Sequence, residues 1–469
     1  MSEPGRRYRI GANARRGDGG RLLIGGWPPR WVRLSEAGAE AVDAALAGRE
    51  APGGAKLIAK LGSYGMLDPV VGTATAETPV GGSDPARDNP AATVTFVVPV
   101  RDAGTALADL VARLVRQGPV IVVDDRSGDG SPDLAREAGA TVVANDGPPG
   151  PGGARNVGWR LAATEFIAFV DADCRTDGAW ARPLATLLEA ETRLALAAPR
   201  IRGTDGPDRL SRWERTCSPL DMGAAGGLVG PGRPVPYVPS AALVARRAAL
   251  AELDGFDPGL RFGEDVDLAW RAVAAGMQVR YAPEVEVRHP PRPTLRARAR
   301  QHFDYGSSAA ALTGRHPASV APLRPSRMVA AVALLAAGSP GAALLAAGAV
   351  TAVAARRQPA GPVRRTVARL AVEGQLRAGR ELGRAVSREW LPLAALAVAH
   401  GGRPRRFALT ALAIDLAAST APEPLQAPVN SALRLLDNAA YTAGVWRGAI
   451  THRSPGPLLP RTSARLSAG

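Results

Sequence analysis

Three carboxylate pairs fall where an α/β sheet presents its ligands. Asp171-Ala-Asp173 follows the apolar run Phe166–Val170, and Asp124-Asp125 follows Val120–Val123. Glu264-Asp265 opens an amphipathic stretch. Two carboxylates bracketing one residue past a buried strand are costly unless paired or metal-bound. Oxygens at that spacing suit a hard divalent cation that also holds a diphosphate. A carboxylate at Asp124 or Asp125 can accept a hydrogen bond from an imide N–H, such as that of uracil, with ribose hydroxyls nearby. The plainer reading there is an Asx turn opening a loop, which Asp129-Gly130 also suits. The run Gly152-Gly153-Ala154-Arg155-Asn156 lets backbone approach a ligand, and Arg155 at a helix start can neutralise phosphate. Glu264 and Asp265 read either as first-turn acids favoured by a helix dipole or as a general base beside an acceptor hydroxyl.

These residues need a sheet to hold them. Thr93–Pro99 is a β-branched run of the kind buried on both faces of a parallel sheet. Leu107–Gln117 reads as helix, Val120–Val123 as strand, Pro132–Ala138 as helix and Thr141–Val143 as strand. Gly153–Ala163 follows as helix and Phe166–Val170 as strand. This alternation predicts a doubly wound parallel sheet with ligands at the carboxyl ends of its strands. Residues 1–75 read as a separate winged-helix-like α+β unit. Its strands fall at Tyr8–Ile10, Arg21–Ile24 and Trp31–Leu34, with helices at Glu36–Leu46 and Ala55–Leu61. Residues 76–92 are rich in Pro, Gly, Asp and Thr and read as a linker.

The chain has 469 residues, 58 basic against 43 acidic, for a net charge of +15. Only Lys56 and Lys60 are lysines, so the excess is arginine, and it is unevenly placed. Residues 290–469 carry 24 Arg against 7 acids, whereas residues 1–289 are nearly neutral. An Ala- and Leu-rich tail flanked by Arg fits an anionic membrane surface better than nucleic acid, and aromatics are only 4%. The tail, 301–469, is expected to be helical. Met328–Ala355 lacks charge but is broken at Gly338–Gly341, which suits a hairpin, interfacial helices or a buried helix pair. Leu391–Ala399 and Phe407–Ala418 are too short to span a bilayer and are separated by Gly401–Arg406. Two cysteines, Cys174 and Cys217, make no disulfide framework, and no apolar leader opens the sequence. The expected location is the cytosolic face of the membrane, or the cytosol itself.

The order Val94–Asp102, Val-Asp-Asp-x-Ser, Ala154-Arg155-Asn156, Asp171-x-Asp173 and Glu264-Asp265 resembles that of inverting family 2 glycosyltransferases of the GT-A fold, over about residues 93–290 of a domain expected at 93–300. The resemblance implies nucleotide-sugar contacts at Pro99, Asp124, Asp125, Arg155 and Asp171. It implies Mn2+ or Mg2+ held by Asp171 and Asp173, with His289 as a further ligand in some members, and catalysis by Asp265 beside Glu264. For His289 the alternative is a strand-end histidine before Pro290-Pro291. No Q-x-x-R-W motif of processive synthases occurs.

Over nearly its whole length, from Arg7-Tyr-Arg-Ile through Val32-Arg-Leu-Ser to the Ala/Arg tail, the chain is also similar to the mycofactocin-system glycosyltransferases of actinobacteria. That likeness implies a UDP-sugar donor, glucose as the sugar, and a small peptide-derived acceptor, premycofactocin. It also implies a pathway peptide as partner of the first unit, whose other reading is a structural cap. Rival readings are a transferase acting on a polyprenyl phosphate and a non-catalytic peptide- or membrane-binding scaffold. A dinucleotide-binding oxidoreductase is disfavoured because Pro99–Gly104 lacks G-x-G-x-x-G.

Overall fold

The structure is a computed structural model. It describes residues 6–27, 30–50, 53–71, 94–176, 178–206, 208–324, 340–357, 362–420 and 427–461. Two compact units divide the chain: Met1–Arg15 with Leu23–Pro291, and Arg16–Leu22 with Arg292–Gly469.

The first unit is built on an eight-stranded sheet. Its strands are β6 (Val94–Val100), β7 (Val120–Asp124), β8 (Thr141–Ala144), β9 (Phe166–Val170), β10 (Leu194–Gly203), β11 (Gly227–Leu228), β12 (Ala242–Arg246) and β13 (Gln278–His289). Their order is β11-β13-β10-β12-β9-β6-β7-β8. The block β8-β7-β6-β9 is parallel, as the alternation of elements predicts. The sheet as a whole departs from that expectation. β12 runs antiparallel to both β9 and β10, and β11 runs antiparallel to β13. A return strand of this kind reaches the sheet from its other end, so its preceding loop arrives beside the carboxyl end of β9.

Alternate residues of β6 explain its central place. Phe96, Val98 and Val100 pack with Leu107, Leu110 and Val111 of α3 (Thr105–Leu114) and Leu184 and Leu188 of α6 (Ala181–Ala190). Val97 faces the other way, against Ala154 and Trp159 of α5 (Pro151–Leu161) and Leu268 of α9 (Glu264–Ala274). Burial on both faces is what a parallel strand demands. Pro99 is tolerated because the pairing of β6 with β9 ends at Val97–Phe169, so no ladder donor is required of it there. α4 (Ser131–Glu137) and α8 (Arg247–Glu252) complete this layer pair, and α7 (Arg209–Cys217) follows β10.

The N-terminal module, apart from Arg16–Leu22, belongs to the same unit. β1 (Tyr8–Ile10) pairs antiparallel with β5 (Leu67–Pro69), and β2 (Arg15–Gly17), β3 (Leu22–Gly25) and β4 (Arg30–Arg33) form a second sheet. β2 and β5 are additions to the three strands expected from sequence. α1 (Glu36–Leu46) starts at Ser35, whose Oγ accepts the Gly38 N–H at 3.1 Å, and α2 is Ala55–Ser63. The module is joined to the large sheet by buried charge. Arg280 of β13 donates to Asp68 of β5 at 3.0 Å, and Arg9 pairs with Glu284. The linker expected at 76–92 lies outside the described residues.

The second unit is helical: α10 (Leu295–Arg315), α11 (Pro340–Arg356), α12 (Pro362–Ser387), α13 (Leu391–His400), α14 (Gly402–Thr420) and α15 (Ala427–Thr451). α10 begins six residues before the expected boundary at 301. It packs closely on α15 because Gly444 lacks a Cβ, which would lie 2.0 Å from the Phe303 carbonyl oxygen. Arg298 makes a buried bidentate pair with Asp437, both bonds 2.7 Å. Asp415 accepts from Ser387, Asn438 and Arg434. Gly402–Arg406, expected to separate two apolar segments, instead opens α14, where Pro404 in the first turn forfeits no intrahelical bond. Of Met328–Ala355, residues 325–339 lie outside the described residues, and α11 begins within the expected break. Among the described residues, no helix is long and apolar enough to cross a membrane.

Candidate active site

The acidic residues at the strand ends are brought together by four backbone links. The Asp171 N–H donates to the Ala241 carbonyl at 3.0 Å, tying the end of β9 to the loop entering β12. Its neighbour Ser240 donates its N–H to Asp265 Oδ2 at 3.2 Å. Asp171 and Asp265, 94 positions apart, are thus held on adjoining residues of one loop. Farther along, Arg175 and Arg288 exchange both backbone bonds, at 2.7 and 2.9 Å, which brings the end of β13 against the turn that carries Asp173.

That bridge places His289 Nε2 3.3 Å from Asp173 Oδ1. One ligand atom each from Asp171, Asp173 and His289 lie within 4.8 Å of one another. His289 is buried, and its Nδ1 is 2.8 Å from the Pro290 carbonyl. A carbonyl can only accept, so Nδ1 carries the proton, and in the neutral ring Nε2 offers its lone pair toward Asp173. Two acceptors face each other at this distance only with a positive charge between or on them. Two carboxylates and an imidazole so disposed fit a divalent cation of the Mn2+ or Mg2+ type. His289 is thus placed where it could serve as the further ligand that the resemblance implies.

Arg155 lies beneath these groups. Its Nη2 donates to Asp171 Oδ1 at 2.7 Å and its Nη1 to Glu264 Oε1 at 2.9 Å, with the guanidinium 5.5 Å from the Phe256 ring centre. Burial opposes its charge, but Asp171 and Glu264 outweigh burial and hold it above its ordinary value. Glu264 is buried too. Burial first, and Asp265 second, push its carboxyl up to about 7 against the pull of Arg155. Asp265 is likewise raised, chiefly by burial.

Asn156, beside Arg155, frames the segment before α9, a role that nothing in its local sequence announces. Its Nδ2 donates to the Phe256 carbonyl at 2.7 Å, and its Oδ1 accepts the Phe256 N–H at 2.9 Å and Trp159 Nε1 at 3.0 Å. Gly255 (φ +63°) is required there, since a Cβ would meet Asn156 Oδ1 at 2.3 Å.

The other acidic pair lies at the end of β7. Asp125 is buried, with Oδ1 accepting from Asn145 Nδ2 at 2.7 Å and Oδ2 from the Gly150 N–H at 2.8 Å. Asp124 Oδ1 accepts the Ser127 N–H at 3.1 Å, closing an Asx turn. Asp102 Oδ1 accepts the Gly128 N–H at 2.8 Å and so ties this loop to the end of β6, beyond Pro99. Asp125 therefore helps to shape the Gly-rich entry to α5, and any further ligand uses its remaining lone pairs. Neither Asn145 nor Ser240 carries a local sequence signal for its role.

Residues 95–253 match the model of glycosyl transferase family 2, and residues 232–304 that of glycosyltransferase like family 2. The chain is similar to two relatives from Mycobacterium tuberculosis, strains CDC 1551 / Oshkosh and ATCC 25618 / H37Rv, each named pre-mycofactocin glycosyltransferase. Each is 34% identical over 465 residues, 95% of this chain and 95% of the relative. Among solved structures, a mannosyltransferase from Pyrobaculum calidifontis in complex with GDP-Man and Mn2+ is 18% identical. It covers 76% of this chain and 87% of its own, with TM-score 0.43. Glucosyl-3-phosphoglycerate synthase from Mycobacterium tuberculosis, in complex with Mn2+, UDP-Glc and phosphoglyceric acid, is 17% identical over 48% of this chain and 79% of its own, with TM-score 0.35. With the two full-length relatives and the family match together, the chain belongs to the pre-mycofactocin glycosyltransferases of glycosyl transferase family 2.

Proposed function

We propose that the protein moves glucose from UDP-α-glucose to a hydroxyl of premycofactocin by a single inverting displacement. The observation that carries this reading is the loop Ser240-Ala241, which joins Asp265 on one side to Asp171 on the other. Asp171, Asp173 and His289 would hold Mn2+ or Mg2+, which when bound neutralises charge developing on the departing diphosphate. Asp265 accepts the proton of the attacking acceptor hydroxyl. Its carboxyl, raised by burial, is a stronger base than an exposed aspartate, and the Ser240 N–H fixes its orientation. The loop laced by Asp102, Asp124 and Asp125 closes the side on which the nucleotide base would sit. The hydroxyl oxygen bonds to the anomeric carbon as the bond to UDP breaks, so an α-donor gives a β-glucoside.

The test is mass spectrometry of premycofactocin incubated with the protein, Mn2+ and separate UDP- and GDP-sugars. A gain of one hexose from UDP-glucose is expected. Transfer to a polyprenyl phosphate but not to premycofactocin would replace the acceptor assignment.

A further inference from the structure

We infer that Arg155 and Glu264 form a positioning pair for the metal-side carboxylate, with Glu264 acting through Arg155 and not on the reacting atoms. The inference rests on the metal and base assignments proposed above. Sequence order alone places Glu264 beside Asp265 as a joint catalytic pair, but the two side chains diverge in the fold. Asp265 turns toward the Ser240 N–H, whereas Glu264 is buried and spends Oε1 on Arg155 Nη1. Its Cγ lies 3.4 Å from where a Gly152 Cβ would stand, so the start of α5 packs against it.

The guanidinium is a rigid plane, so fixing one end fixes the other. With Nη1 held by Glu264 and the face of Phe256 5.5 Å away, Nη2 meets Asp171 Oδ1 at 2.7 Å. That bond occupies one oxygen of Asp171 and leaves the second for a cation. The charges lead to the same assignment. A buried Arg155 beside a cation site would repel the cation; Glu264, when ionised, offsets that charge and limits how strongly Arg155 competes for Asp171. Glu264 therefore tunes metal affinity at one remove, and Arg155 sets the orientation of Asp171.

The experiment measures Mn2+ binding to the full-length protein by calorimetry, without donor, alongside turnover at rising Mn2+. Glu264→Gln keeps the shape and one acceptor oxygen but removes the charge. It is expected to weaken Mn2+ by about tenfold or more, with kcat returning to within about threefold of wild type at saturating Mn2+. Arg155→Lys, which cannot bridge two carboxylates with a plane, should weaken Mn2+ similarly. The double variant should lose no more than the worse single, because both act along one path. An unchanged Mn2+ affinity in Glu264→Gln, or turnover lost at every Mn2+ concentration, would overturn the inference and make Glu264 either inert or a group acting on the acceptor. Loss of fold in both single variants, read by circular dichroism, would also overturn it by making the pair a stability element. Failure of the metal assignment itself shows separately: Asp173→Asn would then bind Mn2+ as wild type does.

Discussion

His289 Nε2 and Asp173 Oδ1 face each other at 3.3 Å across the ends of two elements, the turn after β9 and the last residue of β13. The Pro290 carbonyl holds the proton on the opposite ring nitrogen. The contact is then repulsive for a neutral imidazole and attractive once a cation lies between. His289→Ala should weaken Mn2+ binding by about tenfold or more, and Asp173→Asn should nearly abolish transfer. Calorimetry and turnover with and without EDTA check this; full activity in EDTA would remove the metal from the mechanism.

Asp265 differs from the metal-side residues in what its loss should spare. Asp265→Asn keeps an oxygen to accept the Ser240 N–H but cannot take a proton. We expect kcat to fall by about 100-fold or more, while affinity for UDP and Mn2+ stays within a few fold. Turnover and equilibrium binding on the same preparation separate the two, and a collapse of UDP affinity would reassign Asp265 to the donor.

Which parts of this site were legible in the sequence follows from how local their causes are. β6, β7 and β9 are short apolar runs buried on both faces, so composition alone marks them. β12, Ala-Leu-Val-Ala-Arg, is as long as β7 and β9 but plainer in composition, and its antiparallel direction is set by long-range register with β9 and β10. The D-x-D pair is visible as a motif, but its approach to His289 depends on the Arg175–Arg288 bridge, which no spacing encodes. Arg155 reads from sequence as a donor contact. In the fold its two ends are held by Asp171 and Glu264, partners from separate elements that only packing brings together.

The junction of the N-terminal module tests the energetics of buried charge. Asp68 and Arg280 are both buried, and burial pushes the Asp68 carboxyl above its ordinary value despite the pull of Arg280 and then Arg9. Desolvation thus outweighs attraction, and the pair fixes where the module docks more than it adds stability. Asp68→Leu, which leaves Arg280 only its longer contact to Glu191 at 3.4 Å, should destabilise the protein by about 3 kcal/mol, whereas Asp68→Leu with Arg280→Met should recover most of that loss. Urea unfolding of the three proteins measures both, and equal loss in the single and double variants would show that the pair itself stabilises.

In the helical unit the sensitive group is His302, 3.3 Å from Asp437 in the contact of α10 with α15. Asp437 favours the imidazolium, but burial outweighs it, and Arg298, Arg388 and Arg434 add to burial, pushing the imidazole down to about 4. Unfolded, the same ring takes its proton near 6.5. Between those values the unfolded chain binds the extra proton, so stability is complete above about pH 6.5 and falls as the pH drops toward 4. The loss by pH 4 is on the order of 3 kcal/mol, from about 1.4 kcal/mol per pH unit. His302→Asn removes the titrating ring and keeps a polar group near Asp437. Its unfolding midpoint should fall less between pH 7.5 and pH 5 than that of the wild type. Far-ultraviolet circular dichroism of the full-length protein follows that transition. Parallel acid dependence in the two proteins would move the acid sensitivity to the carboxylates, with Asp415, whose network pairs it to Arg434, as the next group to replace.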